Sequence, residues 1–183
     1  MSAKGELRRG NLVDAAASVL RDLGPDAVTH RAVAAAAGLP LASTTYYFGS
    51  RAELLVSAVE RAVEEDLAAA QKAVAATKPG KRSGRAAATL VLKLTGSGSA
   101  LERALLARRE SAVRPALETW TTGITALVRE ALSRSERTVT PRIAALVVAA
   151  ADGFVLAEVA EGSADLSGAA GRLATVLDAV APA

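Results

Sequence analysis

Hydroxyl groups and aromatic rings are gathered in one short stretch of this chain. Residues 29–55 read THRAVAAAAGLPLASTTYYFGSRAELL, and both tyrosines and one of the two phenylalanines stand at consecutive positions, Tyr46, Tyr47 and Phe48. Ser43, Thr44 and Thr45 precede them, and Arg51 follows. Hydroxyls bond phosphate oxygens or base edges, and a threonine methyl can touch a thymine methyl. Arg51 adds a full positive charge. These groups are suited to gripping a polyanion rather than to breaking a bond. Groups for catalysis are sparse elsewhere. There is no cysteine, and His30 is the single histidine, so a disulfide, a cysteine-ligated metal and a histidine cluster for zinc are all excluded. His30 reads as a surface residue near the nucleic-acid backbone. Asp152, Glu158 and Glu161 are the remaining acid–base candidates. No nucleophile, metal cluster or glycine-rich phosphate loop accompanies them, so they read as solvated carboxylates. No enzyme, metal or cofactor is expected.

The elements that must position the polar stretch follow from its punctuation. Thr29 is an N-cap, its hydroxyl accepting from a backbone N–H of the first turn. Ala32, Val33 and Ala36 form an apolar stripe at helical spacing. Gly38 ends that helix in the left-handed conformation, Leu39 plugs the turn, and Pro40 fits the first position of the next helix. Residues 41–47 then make about two turns. Two short helices around a tight glycine turn are a helix–turn–helix, whose second helix enters the DNA major groove. Ala42 and Ser43 are small enough for close approach to base edges. Adjacent residues on a short helix cannot both face inward, so Phe48 is assigned to the core and the two tyrosines to phosphate. The expected DNA contacts are Thr29, His30, Arg31, Leu41, Ala42, Ser43, Thr44, Thr45, Tyr46, Tyr47 and Arg51. Ser50 and Glu53 form a capping box that opens a long helix, leaving N–H groups and a positive helix end for phosphate.

Residues 8–55 resemble the N-terminal DNA-binding domain of the TetR family of bacterial transcriptional regulators. The resemblance rests on NLVDAAASVLRDLG, THRAVAAAAGL and STTYYFGSRAELL, in that order. The family usually reads glycine, threonine, hydrophobic, tyrosine, tyrosine, histidine, phenylalanine where this chain has Ala42, Ser43, Thr44, Thr45, Tyr46, Tyr47 and Phe48. Thr45 therefore stands at the first family tyrosine and Tyr47 at the histidine, and Pro40 replaces the usual serine cap. The resemblance implies a homodimer on a palindromic operator. It also implies release when a small molecule enters the C-terminal domain.

The rest of the chain fits an all-α protein of about nine helices. A three-helix DNA-binding domain is expected at 1–50, a connecting fourth helix at 51–76, and a helical ligand-binding and dimerisation domain at 77–183. Of the 183 residues, 51% are hydrophobic, and much of that share is alanine, the best helix former. The net charge of +3 permits DNA binding without indicating it. Lys4, Arg8 and Arg9 belong to a mobile basic arm or to the opening of helix one. That helix should run over 6–23, with Leu12, Ala16, Val19 and Leu23 on its buried face. A Pro/Gly loop at 77–84 and a Gly/Ser loop at 95–99 separate the later helices, which are expected at 85–95, 100–113, 115–135, 141–157 and from about 165. The stretch after Pro141 is apolar nearly all round and would pair with the last helix to form a four-helix dimer interface. Its candidates are Leu146, Ala150, Gly153, Ala157, Leu173 and Leu177. Candidate effector residues are Arg108, Arg109, Glu110, Trp120, Asp152 and Phe154, with Glu110 also placed to pair with Arg114. So few aromatics suggest a small apolar or amphipathic effector in a modest aliphatic-lined pocket. The longest apolar run, 143–151, is too short to span a bilayer, and the N-terminus lacks the apolar region of a signal peptide. The expected location is cytoplasmic. The alternative to a ligand-controlled repressor is a helix–turn–helix protein without a small-molecule switch, governed by a protein partner.

Overall fold

Alanine and leucine at helical spacing dominate the chain, and every regular element among the described residues is helical. The computed structural model describes residues 3–96, 100–162 and 165–183. In chain order they form α1 (Ala3–Leu23), a 3-10 turn (Pro25–Ala27), α2 (His30–Ala36), α3 (Leu41–Tyr47) and α4 (Arg51–Ala76). Then come α5 (Gly84–Thr95), α6 (Ala100–Arg109), a second 3-10 turn (Ser111–Val113), α7 (Arg114–Arg134), α8 (Pro141–Ala160) and α9 (Ser167–Val180). Lys4, Arg8 and Arg9 lie within α1 rather than in an arm. Residues 97–99 of the expected Gly/Ser loop lie outside the described residues.

The chain forms two compact units. The first takes residues up to Asp66 together with Leu106–Thr119, and the second takes Leu67–Leu105 and Trp120–Ala183. Beside the expected 1–50, connecting 51–76 and 77–183, the boundary falls within the connecting helix α4, and a segment from α6 to α7 returns to the first unit.

In the first unit α1 packs on α2, and α2 on α3. Leu12, Ala16 and Val19 of α1 are buried with Val33 of α2, Phe48 and Leu55. Leu23 is 70% exposed, so the apolar face of α1 stops a turn earlier than its periodicity suggested. Arg9 lies over the Phe48 ring, 5.4 Å from its centroid.

In the second unit α5 packs mainly on α9, and α8 packs on both. Leu173 and Leu177 of α9 are fully buried within the chain itself. They cannot face a partner as expected, because α9 spends its leucine face on its own domain. Helix α8 carries Thr140 as N-cap, bonded to the Ile143 N–H at 3.2 Å, with Pro141 at the first position. It is the one helix among the described residues long and apolar enough to cross a membrane, with a mean hydropathy of 2.0. The run at 143–151 understated it, because leucine, valine and alanine continue past Asp152. Its packing on α5 and α9 makes it a helix of this domain.

Arg137 ties the end of the chain down. It is 4% exposed; Nη1 donates to the Ala181 carbonyl at 2.6 Å and the Leu177 carbonyl at 3.3 Å, and Nη2 to Asp178 Oδ1 at 2.8 Å. The Ala181 carbonyl lies past the last turn of α9, where no intrahelical donor remains, while the Leu177 carbonyl shares its bond with the Ala181 N–H at 2.9 Å. Gly168 at the start of α9 lies against a second tie. A Cβ there would press on Glu158 Oε1, and Glu158 is itself buried and ion-paired with Arg172 at 2.6 Å.

Glu136, just after α7, has φ 59°, the left-handed region. That conformation costs an L-residue about 1–2 kcal/mol, and glycine's greater unfolded freedom costs about 0.5–1 kcal/mol. Glu136→Gly is expected to stabilise the protein by about 0.5 kcal/mol, read as a higher urea midpoint at unchanged slope.

Candidate nucleic-acid interface and effector site

The reading head is assembled by local chemistry. Thr29 caps α2, its Oγ1 accepting from the Ala32 N–H at 3.2 Å. The helix closes with the Gly38 N–H bonded to the Ala35 carbonyl and the Leu39 N–H to the Ala34 carbonyl. Gly38 has φ 64°, which an L side chain rarely adopts. Pro40 sits at the N-cap of α3, one position before the one expected.

Helix α3 has a clear inside and outside. Thr44 is fully buried and its hydroxyl donates to the Leu41 carbonyl at 2.7 Å. It therefore cannot serve as the DNA contact expected of it; with Phe48 it holds the helix down. Leu41, Ala42, Thr45 and Tyr46 face outward, Tyr46 with 79% of its surface exposed. Ser43 and Tyr47 are half-buried. The two tyrosine rings meet edge to face, their centroids 4.9 Å apart. On α2, Arg31 is exposed, while Thr29 and His30 are half-buried. The His30 Nδ1 is buried without a hydrogen-bond partner.

Arg51 is engaged within the protein. Its Nη2 donates to the Pro25 carbonyl at 2.8 Å and its Nη1 to Glu110 Oε1 at 3.2 Å. Asp26 lies 3.9 Å from Arg51 and 3.6 Å from Arg109. These contacts take the charge that was assigned to phosphate. The capping box is present, the Glu53 N–H bonding Ser50 Oγ at 3.1 Å. Its carboxylate also accepts from the Gly49 N–H at 2.8 Å, so the start of α4 already carries a negative group. Arg51 and this helix end thus already have partners within the protein.

The expected effector residues separate into different places. Arg109 and Glu110 belong to the first unit with Arg51 and Asp26, and Glu110 pairs with Arg51 rather than Arg114. Arg114 instead donates to the Ala107 carbonyl. Arg108 is exposed. Trp120 and Asp152 come together through a residue not singled out in the sequence, Arg103. Its guanidinium lies 3.7 Å from the centre of the Trp120 ring, and its Nη2 is 3.3 Å from both Asp152 oxygens. Phe154 has a different cation, Arg172, 5.5 Å from its ring centre. Nothing in the spacing marks Arg103 or Arg172, because each meets its partners only through the tertiary fold.

Burial raises the Asp152 pKa above the ordinary 3.8, against the opposing charge and hydrogen bond of Arg103. The folded state then holds this proton more tightly than the unfolded state. Asp152 thus costs no stability below the ordinary value, and stability falls as pH rises from that value through the raised one. Asp152→Asn is expected to remove this acid-range slope, checked by urea unfolding of both proteins between about pH 3 and 6.

Comparison with known proteins agrees with this architecture. Residues 12–58 match the family described as bacterial regulatory proteins, tetR family, and residues 95–183 match a tetracyclin repressor-like C-terminal domain. The multidrug binding protein EbrR, solved in complex with ethidium, is 30% identical with a TM-score of 0.68, covering 92% of this chain and 98% of its own. EbrR in complex with proflavin gives 28% identity and a TM-score of 0.69, over 94% and 99% of the two chains. SCO7518 from Streptomyces coelicolor A3(2), at 22% identity and a TM-score of 0.70 over 94% and 98%, shares the fold. Among curated proteins none matches significantly. With both regions matched, and with 30% identity to EbrR over nearly the whole length, the chain belongs to the TetR family of bacterial transcriptional regulators, and it is a DNA-binding regulator rather than an enzyme.

Proposed function

We propose that this protein is a homodimeric repressor that leaves a palindromic operator when a small molecule binds its C-terminal domain. The observation that carries the reading is the outward face of α3. Leu41, Ala42, Thr45 and Tyr46 stand exposed on a helix that Thr44 and Phe48 anchor from behind. Small and hydroxyl groups at the centre suit base edges, and Tyr46 suits phosphate at the groove rim. Arg31 replaces Arg51 as the nearby cation.

Dimerisation is supported by α8. Arg142, Ala145, Leu146, Ala149, Gly153 and Leu156 are exposed at helical spacing and form one stripe. Leu146 is 51% exposed and Leu156 37%. An apolar stripe of this length is suited to self-complementary packing about a two-fold axis. Ala150 and Ala157, half-buried, lie at its margin. A dimer would set two reading heads about 34–36 Å apart, one turn of DNA.

Control by a small molecule is supported by the kinship with EbrR, a multidrug binding protein solved with imidazole, proflavin and ethidium. Those ligands favour a flat aromatic effector, where the composition suggested a small apolar or amphipathic one in an aliphatic-lined pocket. The ligand acts only through its different affinity for the operator-bound and released forms.

Selection of bound sequences from a randomised duplex library at physiological salt tests the reading. An enriched palindrome supports it, and purely salt-sensitive bulk binding refutes it. On that operator, Arg31→Ala is expected to reduce the salt slope by about 0.9, one phosphate contact, whereas Arg51→Ala leaves the slope unchanged. Filter binding across a salt series separates the two. A slope reduced equally by both substitutions would return Arg51 to the phosphate role.

A further inference from the structure

Trp120, Asp152 and Arg103 come from three different helices, α7, α8 and α6, and meet as a stacked and ion-paired group. Trp120 is 5% exposed, and one face of its ring is covered by the Arg103 guanidinium at 3.7 Å. A guanidinium is a flat, delocalised, weakly hydrated cation. An indole face beside a carboxylate is therefore already a receptor for that class of group, with Trp the strongest aromatic partner for a cation.

The bonds from Arg103 to Asp152 are long. A single nitrogen, Nη2, serves both Asp152 oxygens at 3.3 Å, where good charge-assisted bonds measure about 2.7–2.9 Å. Burial still outweighs Arg103 in setting the proton affinity of Asp152. The Arg103 and Asp152 side chains are each 23% exposed, so the guanidinium has a route to water. A cation with two donors in the carboxylate plane, or with a wider π-surface on the indole, would satisfy the same groups better.

We propose that Trp120 and Asp152 form the binding site for a flat organic cation, and that Arg103 occupies this site in the absence of ligand. The proposal rests on the effector reading above and names the chemical class of the effector. Binding exchanges one cation for another. Asp152 and Trp120 keep a partner throughout, and Arg103 is released to solvent. The apparent affinity is the intrinsic one reduced by the fraction of molecules in which Arg103 has left. Removing Arg103 removes a competitor, an effect opposite in sign to that expected of a merely structural residue.

Proflavin is the probe, followed by fluorescence anisotropy on the full chain. Arg103→Ala is expected to tighten proflavin binding roughly tenfold, as when the site is self-occupied in about nine molecules of ten. Adding Asp152→Asn to that variant, where no competitor remains, is expected to weaken binding roughly tenfold or more through the lost charge. Far-ultraviolet circular dichroism and thermal melting establish that each variant is folded. Unchanged or weaker binding by folded Arg103→Ala overturns the proposal. So does an Asp152→Asn change without effect in the Arg103→Ala background, or the absence of proflavin binding to all three proteins. Two further outcomes separate this site from the release mechanism. Proflavin that frees the wild-type protein from its selected operator, with an affinity neither substitution moves, retains the effector reading and overturns this site. Proflavin that binds with the expected sensitivities but leaves the operator occupied supports the site and overturns the release mechanism.

Discussion

Ala149→Glu is expected to separate the protein into protomers and to lower operator affinity at least roughly 100-fold. Ala149 is exposed near the middle of the α8 stripe, between Leu146 and Gly153. An isologous interface presents each residue twice, so one substitution brings two carboxylates towards the same axis. Burying each without a partner costs several kcal/mol, and each 1.4 kcal/mol is a factor of about ten. Operator affinity falls with the dimer, because a lone reading head grips only one half-site. The folded protomer should survive, since Ala149 faces away from the α5 and α9 contacts. Sedimentation at micromolar concentration, with circular dichroism as the folding control, checks the result. A dimer of unchanged strength would move the interface away from α8.

Arg137→Ala is expected to destabilise the protein by about 3 kcal/mol and to lower its melting temperature by roughly 10 °C. Arg137 is 4% exposed and bonds two carbonyls and one carboxylate at the end of α9. Hydrogen bonds from a charged donor contribute about 1.5–3 kcal/mol each; the Ala181 carbonyl loses the shorter one, and the Leu177 carbonyl keeps only the Ala181 N–H. Asp178 is 61% exposed in its side chain, so its loss is cushioned by water. Asp178→Asn should therefore cost less than about 1 kcal/mol. Arg137→Lys should recover only part of the loss, because a point charge cannot span acceptors that a planar fork reaches together. Chemical denaturation of the three variants orders them. A loss below about 1 kcal/mol for Arg137→Ala would mean that packing, not this bond set, holds α9.

Much of the reading head was legible because its determinants are local. Thr29, Gly38, Ser50 and Glu53 act on backbone within a few residues, and each acts there in the structure. Helix α4 spans the residues expected from that punctuation. Orientation was less legible. On a helix of seven residues, the choice between Thr44 and Ser43 as the inward side chain is settled by packing against α2, which a hydroxyl-rich sequence does not reveal. The same limit put Leu173 and Leu177 on the wrong side of α9: periodicity marks an apolar face without saying whether it meets its own domain or another chain. Long-range ion pairs were invisible. Arg51 and Glu110 are 59 positions apart, and Arg103 and Asp152 are 49 apart. Each residue alone has the look of a solvated surface group.

The return of Leu106–Thr119 to the first unit bears on how regulators of this build can be recombined. A hybrid made by fusing residues 1–66 to a foreign sensor would leave behind Glu110, the partner of Arg51, and Arg109, the partner of Asp26. The graft would also lack Val113, which is 1% exposed. The reading head is thus inherited in two pieces of gene rather than one. A productive exchange must carry both.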